Sequence, residues 1–162
     1  MLLALGLLEP MLTSEKFDSL NSKVQAHLDM QGPEIESILK GHLVIEELLF
    51  KILASTTSRE SLIRKADLSF FKTAVMVEAL HQEKCPEWVW EAVLLLNTIR
   101  NKVAHHLHHN EVDEMIKNFI KLVSENMILS SALSELNGNK ALPSTIATLC
   151  VVLTDIWEKI ET

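Results

Sequence analysis

The sequence predicts an all-α fold, a single-domain helical bundle of about five to seven helices spanning residues 1–162. Three observations lead there. Apolar residues recur at three-to-four spacing along nearly the whole chain, with no strand-like alternation and no internal repeat. Four Gly and four Pro supply too little turn material for a sandwich or barrel. Hydrophobic residues make up 48% and charged residues 23%, enough apolar surface to build a core and too little charge for disorder.

Residues 1–12 form a short apolar segment, MLLALGLLEP and its continuation, without a basic flank. Its apolar run falls well short of the roughly 20 residues that a membrane span needs, so it is expected to pack on the body or on a second subunit. Thr13 and Ser14 can cap a helix carrying Phe17, Leu20, Val24 and Leu28, which should stop at Gly32-Pro33. Pro33 opens a longer helix whose apolar set runs from Ile35 to Leu53, wide enough to be packed on more than one side. Gly41-His42 interrupts that set, and the glycine permits a close helix approach. Glu46 and Glu47 are the acids within it, facing solvent or a partner.

After the polar break Ser55–Ser58, Arg59–Lys65 reads as a short basic helix or turn. Asp67 can cap a helix with Phe70, Phe71, Ala74, Val77 and Leu80 on its apolar side. Pro86 opens the central helix, and Asn110 can cap the next, whose distal end is ENMILSSALSEL. Asn137-Gly138-Asn139 is the clearest turn. The C-terminal helix occupies 143–162, capped by Ser144 and carrying Ile146, Leu149, Val152, Leu153, Ile156, Trp157 and Ile160.

The central stretch, Trp88–His109, reads WVWEAVLLLNTIRNKVAHHLHH. Its first half is apolar nearly all round apart from Glu91, which places the helix in the middle of the bundle. Asn97, Asn101 and His105 then follow at intervals of four and form one stripe. Arg100 and His105 lie roughly 140° apart on a helix advancing about 100° per residue, so they flank that stripe rather than stack. They converge on one ligand only if the helix ends near Ala104 or a second subunit supplies the facing pair. A structural reading pairs Arg100 with Glu46 or Glu47, because an arginine beside an apolar run is costly without hydrogen bonds. A chemical reading notes that guanidinium grips phosphate while imidazole exchanges protons near neutral pH.

The net charge of −7 excludes a general nucleic-acid coat, although a local basic cleft remains compatible with RNA. Cys85 and Cys150 lie far apart without ligand spacing and suit reduced core thiols in a cytoplasmic protein. The cluster His105, His106, His108 and His109 lacks HExxH, a paired ExxH or a cysteine partner, so neither a metal nor another cofactor is expected.

The hexad Arg100-Asn101-Lys102-Val103-Ala104-His105 resembles the R-x4-6-H motif of the HEPN superfamily, whose residue after the arginine is commonly polar. The resemblance in order and character covers residues 33–125. It implies a metal-independent endoribonuclease with a toxin, phage-defence or stress role, with RNA and a protein antitoxin as partners and no membrane. It also implies a homodimer whose two motifs share one cleft. By that resemblance, His105 is the general acid or base for attack by the ribose 2′-hydroxyl. Arg100 holds the scissile phosphate, and Asn101 orients one of the two. Asn97, Lys102, His106, Glu46 and Glu47 are supporting or binding candidates. One toxin branch extends the motif to R-x4-H-x-Tyr; Leu107 stands at that position here, and the chain contains no Tyr. Some HEPN relatives are non-catalytic binding modules, and a mannitol-repressor-like family shares the general pattern, which leaves a regulatory role as the alternative.

Overall fold

In the computed structural model the chain is described at Lys16, Ser19 and residues 34–104, 109–127 and 138–161, with backbone alone at 109, 110 and 138–140. Its described elements are α1 (Glu34–Ser55), α2 (Glu60–Lys65), α3 (Phe70–His81), a 3-10 turn (Gln82–Lys84), α4 (Glu87–Ala104), α5 (His109–Asn126) and α6 (Gly138–Glu161). No strand occurs among the described residues, and the fold is all-α as the spacing predicts. The expected helix before Pro33 lies outside the described residues apart from Lys16 and Ser19, which are helical, and so does the 1–12 segment.

Helix α1 buries Ile38, Ile45, Leu48, Leu49, Ile52 and Leu53. Its most extensive partner is α6, and α2, α3 and α4 pack around it as well. The close approach expected at Gly41 is real. A Cβ there would collide with Cγ2 of Ile146, a short branched side chain that has little freedom to move aside. Helix α4 touches α1, α3, α5 and α6, and its Val89, Trp90, Ala92, Val93, Leu96 and Ile99 are buried. The central place read from its apolar half is thus observed.

Helix α6 is enveloped more completely than its one-sided periodicity suggests. From Thr145 to Leu153 every residue is buried. Its threonines tolerate this because Thr145 and Thr148 donate their hydroxyls to the carbonyls of Ala141 and Ser144 at 2.7 and 2.9 Å. Ala141–Glu161 is long and apolar enough to cross a bilayer, yet most of that segment is buried inside the bundle. Asp155 is fully buried on this helix and ion-paired with Lys16 and with Lys159, the latter at 2.8 Å. Both cysteines are buried free thiols, and burial pushes each up to about 12.

Several boundaries differ from the sequence expectation. Ser69, not Asp67, caps α3: its side chain accepts from the Lys72 amide at 3.4 Å. Asp67 instead adopts φ 49°, the left-handed turn that ends α2 and that a short polar side chain tolerates. Asn110 sits inside the first turn of α5 rather than capping it, and α5 closes at Asn126, where Nδ2 donates to the Leu122 carbonyl at 2.8 Å. Residues 128–137 lie outside the described residues. Gly138 and Asn139 are already helical, so the C-terminal helix starts ahead of Ser144 and carries Pro143 within it. Burial of Leu142 explains the extension, since a start at Ser144 would leave that side chain off the helix face it shares with Ile146.

Replacing Gly41 by Val is expected to destabilise the protein by roughly 1–3 kcal/mol through overpacking against Ile146. Chemical denaturation measures it, and the same substitution in an Ile146→Ala background should cost less.

Candidate functional site

Burial of Leu96 and Ile99 against the bundle turns the opposite flank of α4 outward, and this is the flank that carries Asn97, Arg100 and Asn101. The first half of α1 and the start of α3 stand beside it. Together they enclose a cleft of about 690 Å³ lined by Leu39, His42, Leu43 and Glu46 from one wall and Ser69, Phe70 and Phe71 from another. Asn97, Arg100 and Asn101 form its floor. Asn97, Arg100 and Glu46 are half-buried and Asn101 is exposed.

Two polar contacts organise the floor. Nε2 of His42 lies 3.0 Å from Oδ1 of Asn97, and Nη1 of Arg100 donates to Oδ1 of Asn101 at 3.1 Å. His42 is 6% exposed, and its ring stacks on Phe70 with centroids 4.1 Å apart and an interplanar angle of 23°. Burial holds the imidazole below its ordinary pKa, and the Arg100 charge pushes the same way. The hydrogen bond to Asn97 and the carboxylate of Glu46 oppose that shift. The structural pairing read from the sequence is not made: among the described residues no ion pair joins Arg100 to Glu46 or Glu47.

The cleft therefore unites four residues singled out from the sequence, Glu46, Asn97, Arg100 and Asn101. It leaves out Glu47, which is exposed and absent from its lining. It also leaves out Lys102, whose ammonium pairs with Glu111 of α5 at 2.8 Å and links two helices. One further residue along α4 is enough to turn that side chain toward α5 instead of the cleft. His105 and His106 lie outside the described residues, after Ala104, the last described residue of α4.

His42 is the residue that sequence reasoning missed, having read it as an interruption. The signal for it was a histidine one turn before Glu46 within an otherwise apolar helix face. The rim carries a second unforeseen feature. Leu43 is 63% and Phe71 55% exposed, and Ile35, Leu39 and Val75 continue the apolar surface along α1 and α3. Guanidinium and amide groups at the base of an apolar-walled cleft can hold an anion and order it by hydrogen bonding. No protein-family model, curated protein or solved structure matches the chain.

Because the folded pKa of His42 is depressed, the unfolded chain binds the proton more readily, and the stability from its neutral burial is complete above about pH 6.5. It is lost as pH falls through the folded value, and His81, lowered by burial and by Lys84, acts in the same direction. The melting temperature should therefore fall between pH 7 and 5, and His42→Phe should make that fall shallower in thermal scans.

Proposed function

We propose that this chain is a metal-independent RNA endonuclease of HEPN type, a cytoplasmic homodimer serving as a toxin or in phage defence or stress. The observation that carries the reading is Arg100: half-buried, facing an open cleft, and hydrogen-bonded to Asn101 with no carboxylate paired to it among the described residues. An arginine used only for stability would be expected to have its charge matched in such a position.

In this reading Arg100 holds the scissile phosphate bidentately while Asn101 orients the guanidinium. His105 accepts the 2′-hydroxyl proton, the O2′–P bond forms and the P–O5′ bond breaks. A second histidine, from the partner subunit, returns a proton to O5′, leaving a 2′,3′-cyclic phosphate. The apolar rim of Leu39, Leu43 and Phe71 supports a dimer closing over the cleft, since surface of this kind marks an interaction site. A protein antitoxin would be a further partner.

A second reading is a non-catalytic binding or regulatory module, including one resembling the mannitol repressor. The apolar walls of the cleft and the net charge of −7 favour it. Under that reading, substitution of Arg100 lowers ligand affinity or dimer stability and no turnover exists to lose.

Purified protein is expected to cut single-stranded RNA in EDTA, and Arg100→Ala or His105→Ala should each lower the rate by at least about 100-fold. Cutting that survives both substitutions, or that needs a divalent metal, contradicts the proposal. Leu43→Glu combined with Phe71→Glu should shift the protein to monomer in sedimentation analysis and reduce cutting in parallel.

A further inference from the structure

The contact between α1 and α4 has a direction that determines what the cleft offers a ligand. Oδ1 of Asn97 can only accept, so its 3.0 Å contact with Nε2 of His42 is a hydrogen bond in the tautomer that carries the ring proton on Nε2. The ring is held firmly in that orientation, because it is nearly fully buried and Phe70 stacks on its face at 4.1 Å. With its oxygen committed to His42, the Asn97 amide has its two N–H donors left over, and no described group accepts them. Asn97 lines the cleft one turn before Asn101 and three residues before Arg100, so these donors lie on the helix face that carries the guanidinium.

We infer that His42 is a positioning residue: it locks the Asn97 amide so that Nδ2, beside Arg100, donates to a non-bridging oxygen of the bound phosphodiester. The inference rests on the RNA-cleaving reading and names a residue through which that site is ordered. His42 itself does not touch the substrate. Lacking the Nε2 donor, the amide is free to turn and present its oxygen to the anion, which repels it. The residue thus sets the polarity of the cleft floor.

The test compares wild type, His42→Phe, His42→Gln, Asn97→Ala and the His42→Phe/Asn97→Ala double variant on single-stranded RNA in EDTA, with kcat and KM determined separately. Binding of an uncleavable 2′-deoxy oligonucleotide of the same sequence is measured alongside. His42→Phe keeps the stack on Phe70 and should lower kcat/KM and oligonucleotide affinity by about 10- to 100-fold, the usual effect of losing one hydrogen bond to a charged group. Asn97→Ala should match it, the double variant should be no worse than either, and His42→Gln, which retains an N–H donor, should recover most of the loss. Losses that multiply in the double variant, or wild-type behaviour of His42→Phe, overturn the positioning role. Ring nitrogen shifts of the wild-type protein give a check that needs no variant: the neutral ring must carry its hydrogen on Nε2, and an Nδ1–H tautomer overturns the inference. Full activity in His42→Phe with loss in Arg100→Ala removes only the positioning role, whereas a wild-type protein that neither binds nor cuts RNA removes the functional reading with it.

Discussion

The contact of α1 with α6 at Gly41 is the constraint on which the remaining arrangement rests. It brings two long helices together more closely than any side chain at that position would permit. The next residue, His42, points about 100° away and reaches α4. One dipeptide therefore serves two interfaces, the first apolar and steric, the second polar and directional. Altering the spacing at Gly41 would displace the histidine that meets Asn97, so packing in the core and order in the cleft are mechanically joined.

The cleft combines walls and floor of opposite character. Leu39, Leu43, Phe70 and Phe71 supply apolar surface, while Arg100, Asn97 and Asn101 supply hydrogen-bonding groups below it. Neutral His42 contributes a dipole without adding a second positive charge, and Glu46 is close enough to act on it electrostatically. Removing water from such a site strengthens the interaction of the guanidinium with an anion, because the effective dielectric falls. A second subunit covering the apolar rim would have that effect.

Much of the architecture was legible because it depends on local periodicity. The apolar run from Trp88 to Leu96 marked α4 as central, and Gly41 marked a close approach, since both features need only helical geometry. Asn97 and Asn101 were legible as one stripe, with Arg100 flanking it, for the same reason. Glu46 and Glu47 could not be separated by sequence, because which of two adjacent acids meets the cleft depends on the rotation of α1 about its axis. The place of Lys102 outside the cleft was not legible for a related reason: Glu111, its partner, lies across a helix junction that spacing alone does not locate. His42 was overlooked because its importance arises from Asn97 and Phe70, both distant in the chain. The helix start at Gly138 reflects tertiary burial of Leu142 prevailing over a turn-forming composition.

The buried carboxylate of Asp155 links the C-terminal helix to Lys16, a residue far away in the chain. Lys159 reaches it from the following turn of the same helix, whereas Lys16 comes from the opposite terminus. Without Lys16, that buried carboxylate would have only Lys159, its own helical neighbour, as an ion-pair partner among the described residues. Protection of the C-terminal helix from local opening thus depends in part on Lys16.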